Sequence, residues 1–121
     1  MRILIVDDSK AMRMIVVRTL CLAGFDEHEM LQAGNGREAL AVIAREPPDL
    51  ILCDWNMPEM SGLELLVSLR TAGWTTPFGF VTSEASPQMR TLGMEAGAAF
   101  LIAKPFTPDD FQDAIDRVLA W

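Results

Sequence analysis

Basic residues are few. The 121-residue chain carries 10 Lys and Arg against 17 Asp and Glu, a formal net charge of −7, with no Lys/Arg cluster. DNA-binding modules show basic patches, and anionic membranes attract them, so direct contact with either is not expected. Cysteine and histidine are scarcer still: Cys21, Cys53 and His28 are all there is. No Cys/His spacing fits a zinc site. Both thiols lie in apolar stretches and read as reduced core side chains, and His28 reads as an exposed or half-buried residue without ligand neighbours. No apolar run approaches the roughly 18 residues of a membrane span. Only four apolar residues precede the acidic pair Asp7-Asp8, too few for the apolar part of a signal peptide. A soluble cytoplasmic protein is the expectation. Linkers, low-complexity tracts and repeats are also missing, and the length suits one domain, residues 1–121.

What is present is an alternation. Ile3-Leu4-Ile5-Val6 is a short run rich in β-branched residues, the pattern of a strand buried on both faces. Ser9 can cap a helix over 10–23, with Gly24 as its stop. A weaker strand follows at His28–Ala33. Asn35 and Glu38 open a helix over 36–46 in the manner of a capping box, and Pro47-Pro48 ends it. Leu50–Cys53 is the next strand. Ser61 and Glu64 cap a helix over 62–72, and Phe78–Val81 is a strand. Ser86-Pro87 starts a helix over 87–96, Phe100–Ala103 is the last strand, and Thr107-Pro108 starts a helix over 108–120. Five β-α units with short connections imply a parallel sheet with helices on both faces. In such sheets ligands bind beyond the carboxyl ends of the strands.

The residues at those ends are chemically related. Asp7 and Asp8 follow the first strand, Asp54 the third, Thr82 and Ser83 the fourth, and Lys104-Pro105 the fifth. Two carboxylates about 5 Å apart repel by roughly 3 kcal/mol at an effective dielectric of 20. Three call for a counterion, and Mg²⁺ suits oxygen ligands, one or two carboxylates and a phosphate. Lys104 supplies a point charge and Thr82 a hydroxyl donor. Such a set equips a site for phosphoryl transfer, in which a carboxylate can itself be the nucleophile. The plainer readings are a structural acid at Asp54, a helix-capping pair at Asp7-Asp8, a surface lysine at 104 and a loop cap at Thr82-Ser83.

Asp7-Asp8, Asp54, Thr82 and Lys104-Pro105, with the segment Asp54-Trp-Asn-Met-Pro-Glu-Met-Ser-Gly-Leu-Glu-Leu-Leu66, resemble the signature of the receiver domains of two-component response regulators, in particular the stand-alone receivers of chemotaxis. The resemblance covers essentially the whole chain. It implies a doubly wound, flavodoxin-like α/β fold: a three-layer (βα)5 sandwich with a five-stranded parallel sheet in the order 2-1-3-4-5. It implies that Asp54 accepts a phosphoryl group from the phosphohistidine of a histidine kinase or a histidine phosphotransfer protein. Mg²⁺ would be held by Asp8, Asp54 and the main-chain carbonyl of Asn56, with Asp7 acting mainly through a water. Lys104 would pair with Asp54 and then with the phosphate, Thr82 would act as the switch, and Lys104-Pro105 would be a cis peptide. Asn56 and Glu84 would flank the attacking water and tune dephosphorylation. The output face would be residues 87–120, meeting a downstream effector; a monomer without an output domain is expected, and no enzyme beyond its own phosphorylation and autodephosphorylation.

One position departs from the family pattern. Three residues before the lysine such receivers usually carry Tyr or Phe, which rotates inward as the threonine moves. Here it is Leu101, and the chain has no Tyr at all. Phe100 is aromatic, but neighbouring strand residues point to opposite faces. Competing readings are a phosphorelay intermediate, a binding module that works without phosphorylation, and a Mg²⁺-dependent phosphohydrolase with an aspartyl nucleophile. The last usually places a second Asp two residues after the nucleophile, where this chain has Asn56. Trp55 and Met57 either wall the pocket or meet a partner, Trp74 and Trp121 are candidate surface anchors, and the eight Met read as core filler.

Overall fold

The computed structural model describes residues 1–119. Strands and helices alternate as β1 (Arg2–Val6), α1 (Lys10–Leu20), β2 (Glu29–Ala33), α2 (Gly36–Arg45), β3 (Leu50–Cys53), α3 (Gly62–Thr71), β4 (Phe78–Thr82), α4 (Pro87–Glu95), β5 (Phe100–Ala103) and α5 (Pro108–Leu119). All strand pairs are parallel and the order is β2-β1-β3-β4-β5. Period-two alternation then divides the core into two layers. Ile3, Ile5, Leu50, Leu52, Val81 and Ile102 face α1 and α5, where Val16, Leu20, Phe111 and Ile115 meet them. Leu4, Val6, Ile51, Cys53, Phe78, Phe80 and Leu101 face α2, α3 and α4. β3 is therefore apolar throughout and β1 and β4 nearly so, since both their faces are dry, whereas the edge strand β2 exposes Glu29 and Gln32. Each buried Leu, Ile or Phe contributes about 1.5–3 kcal/mol.

The caps act as the sequence suggests. Ser9, Ser61 and Ser86 accept from the backbone N–H groups of Met12, Glu64 and Met89. Ser61 and Glu64 complete a reciprocal capping box. Asn35 accepts from the Glu38 N–H, while the Glu38 carboxylate reaches one residue further back, to the N–H of Gly34.

Several expectations are corrected. Regular α1 stops at Leu20 and widens into a π-type turn over Cys21–Phe25, where Gly24 has φ +100°. The wide turn drives Ala23 and Phe25 into the core and turns Cys21 outward, so only Cys53 is a buried thiol. The second strand starts at Glu29, because the His28 N–H turns back onto the Phe25 carbonyl. None of the eight Met is fully buried; they line the margins of the core, with Met14 and Met94 about half exposed. Trp74 packs against the α2–α4 layer. Residue 120 and Trp121 lie outside the described residues. Among the described residues no helix is long and apolar enough to cross a membrane.

Candidate functional site

The sheet order reverses beside β1, where the chain passes from β2 on one side to β3 on the other, and that crevice is where such folds bind ligands. The acids lie there. The Asp7 N–H donates to the Ala33 carbonyl on β2 and the Asp54 N–H to the Val6 carbonyl on β1, so both residues continue the ladder before their side chains enter the crevice. Asp7 is buried, Asp54 half-buried and Asp8 exposed, and one carboxylate oxygen from each lies within 4.8 Å of the others. The Asp7 carboxylate accepts the Ser9 N–H at 2.9 Å, and the Asp7 carbonyl accepts from the Arg13 guanidinium at 2.7 Å.

The charge that offsets them comes from β5. Lys104 Nζ is 3.2 Å from Asp7 Oδ2 and 3.7 Å from Asp54 Oδ2. Both acids are within ion-pair distance, so the expected pairing with Asp54 is present, while the hydrogen bond goes to Asp7, the nearer and more buried acid. The Lys104 N–H holds the Thr82 carbonyl, and the Lys104–Pro105 peptide is cis.

Burial pushes the Asp54 carboxyl above the usual aspartate range; Lys104 lowers it, Asp7 raises it, and the N–H groups of Trp55 and Asn56 lower it. The balance leaves a carboxylate less stabilised than a surface acid and open toward solvent. Burial, then Asp54 and Asp7, hold the Cys53 thiol well above its usual value, so it stays protonated and packs as core. Three carboxylates around one lysine form a hard, oxygen-rich set that could hold a divalent cation.

Thr82 is wholly buried and its hydroxyl oxygen accepts the Glu84 N–H at 3.3 Å. Ser83, Glu84 and Asn56 are exposed around the crevice mouth. Leu101 is buried beside Phe80, its register partner on β4. Phe100 lies on the opposite face, its ring over Gly79, and does not replace it. Trp55 is an inner wall: its ring packs on Phe80 with centroids 4.5 Å apart. Met57 is half-buried against the same layer.

Sequence reasoning missed Gly62 as part of the site. The β3–α3 loop folds back so that the Gly62 N–H meets the Trp55 carbonyl at 2.8 Å, and a Cβ at 62 would run into the carbonyl oxygen of Asp54. A glycine in the first turn of a helix, where nothing about the cap requires one, was the available signal.

A family model described as the response regulator receiver domain matches residues 3–116. The chemotaxis protein CheY homolog of Campylobacter jejuni is 37% identical over 122 aligned positions, covering 98% of this chain and 92% of its own. Chemotaxis protein CheY1 of Helicobacter pylori is 34% identical, covering 98% and 97%. The solved structure of Vibrio cholerae chemotaxis protein CheY4 superposes with a TM-score of 0.86 at 37% identity, covering 97% of each chain.

Proposed function

The chain belongs to the response regulator receiver family, and from that premise we propose that it is a phosphoryl-accepting switch in two-component signalling. The supporting observation is the grouping of Asp54 with Asp7, Asp8 and Lys104 at the one crevice where the sheet order reverses. An Asp54 carboxylate oxygen attacks the phosphorus of a phosphohistidine on a kinase or phosphotransfer protein. The new O–P bond forms as the N–P bond breaks, and the imidazole leaves with the electron pair. Lys104 shifts its charge toward the incoming phosphoryl oxygens. Thr82 gives up the Glu84 N–H and donates its hydroxyl to the phosphate. Asp8, Asp54 and the Asn56 carbonyl would hold Mg²⁺, with Asp7 supporting them, and the ion would neutralise charge on the acids and the phosphoryl oxygens. Asn56 and Glu84, exposed at the mouth, flank the water that later hydrolyses the acyl phosphate.

The output face is the groove of about 510 Å³ between α4, β5 and α5, lined by Arg90, Met94, Leu101, Ala114, Arg117 and Val118 among others. A downstream effector docks there. The relatives' names support chemotaxis as the pathway. Incubation with Mg²⁺ and acetyl phosphate, followed by intact-mass measurement, tests the acceptor. One phosphoryl group is expected on the native protein and none on Asp54→Asn. No mass gain, or an equal gain in both, would sink the reading.

A further inference from the structure

The leucine at 101 leaves open how α4 senses Asp54, and the packing between β4 and α4 supplies a route. Phe80 and Thr82 point to the same face of β4, two residues or about 6.6 Å apart along the strand. The Phe80 ring is fully buried. It packs on Trp55, the residue that follows Asp54 and gives its N–H to the Asp54 carboxylate. A Cβ at Gly62, the glycine beneath the Asp54 carbonyl, would come 3.1 Å from Phe80 Cε1. On its far side the same ring meets α4. A Cβ at Gly93 would stand 3.0 Å from Phe80 Cε2 and 3.3 Å from Trp55 Cζ3. Gly93 is the only fully buried residue of α4. Met89 and Arg90 also touch the body of the protein, the first at the core margin and the second at the Leu101 carbonyl, but only at Gly93 do two aromatic rings lie directly against the helix backbone.

Resting on the receiver reading of Asp54, we propose that Phe80 and Trp55, and not the residue at 101, carry the state of Asp54 to α4 through Gly93. Thr82 is wholly buried above Phe80, so its hydroxyl cannot swing toward a modified Asp54 without changing the space over that ring. Packed aromatic rings respond by tilting, not by compressing. A tilt of Phe80 or Trp55 is transmitted directly to Gly93, since no flexible side chain lies between ring and helix backbone. Leu101 also touches this layer, but it is an aliphatic side chain with no hydroxyl and no ring to lever the helix. The two positions of α4 form the two-state element, and the modification of Asp54 biases it.

The test follows amide hydrogen exchange of residues 88–95 with and without Mg²⁺ and beryllofluoride, a phosphoryl mimic, in the native protein and in Phe80→Leu, Gly93→Ala and Leu101→Val. Phosphoryl uptake from acetyl phosphate is weighed in parallel. The native protein is expected to change its α4 exchange. Phe80→Leu and Gly93→Ala are expected to keep phosphoryl uptake and to lose the α4 response by roughly threefold or more, while Leu101→Val keeps both. A full α4 response in Gly93→Ala, or its loss in Leu101→Val, overturns the proposal. Gly93→Ala adds one methyl to a helix and decides the matter if Phe80→Leu fails to fold. Absent uptake in the native protein would refute the receiver reading itself; intact uptake with a response indifferent to Phe80 and Gly93 refutes only the relay.

Discussion

Lys104 donates to the Asp7 carboxylate at 3.2 Å, a contact between residues 97 positions apart. It ties the end of the outer strand β5 to the inner strand β1 across the crevice. The two side chains are only 16% and 6% exposed, so solvent screens the pair weakly. Asp54 stands further from the ammonium, at 3.7 Å. The lysine thus pairs closely with Asp7 and more loosely with Asp54.

Replacing the lysine should expose that division of labour. Lys104→Met leaves three carboxylates without their nearest cation. Stability in urea at pH 7 with a chelator present is expected to fall by about 1–3 kcal/mol. Phosphoryl uptake from a small donor is expected to slow by roughly 10²-fold, the usual cost of losing one electrostatic group aimed at transferring charge. An unchanged urea midpoint would show that Asp7 does not depend on the pair.

The pH dependence of Asp54 has a definite sign. Its carboxyl is raised in the folded state, chiefly by burial, above its ordinary value of 3.8. Between these two values the folded protein binds a proton that the unfolded chain does not. Asp54 therefore opposes folding at neutral pH, and that opposition fades as pH falls through the folded value and is gone at the ordinary one. With a chelator present, Asp54→Asn should be more stable than the native protein at pH 7. The difference should shrink as pH is lowered, when both side chains are neutral. Urea titrations across pH check this; a native protein that is the more stable of the two at pH 7 would reverse the sign.

Gly62→Ala should damage the site without touching any acid. The added methyl meets the Asp54 carbonyl oxygen, and backbone cannot yield as a long side chain can. A stability loss of about 1–3 kcal/mol is expected, the usual cost of overpacking. Phosphoryl uptake should slow with it, because relieving the contact displaces Asp54. A neutral result in both measurements would mean that the β3–α3 loop is pliable.

Glu59 occupies left-handed backbone, φ +68°, in that same loop. The region suits glycine and penalises a residue with a Cβ. Glu59→Gly is expected to raise the urea-derived stability by about 0.5–1 kcal/mol, and Glu59→Val to lower it by a similar or larger amount, since β-branched residues fit there worst. Equal stability of the two variants would contradict the assigned backbone.

The succession of elements was legible in the sequence because its signals are local. Four apolar runs, Ser9, Ser61 and Ser86 as caps, and the proline and glycine stops each act within a few residues, and the helices begin where the caps said. The carboxyl-edge set was legible for the same reason: once the strands are parallel, the residue after each must lie at one edge. Boundaries slipped where packing overrode local preference. Residues 21–25 form a wide turn because Phe25 reaches the α1–α5 layer.

By itself, then, the sequence determined the five-fold β-α alternation, the edge at which Asp7, Asp8, Asp54, Thr82 and Lys104 assemble, and the departure at Leu101. Only the tertiary structure decided which of these touch. That Lys104 prefers Asp7, that Trp55 turns inward onto Phe80, that Cys21 faces out and that Gly62 lies against the Asp54 carbonyl all depend on segments distant in the chain. Period and capping are written in neighbouring residues, whereas a contact of 3.2 Å or a seat for a ring is set by how whole layers close on one another.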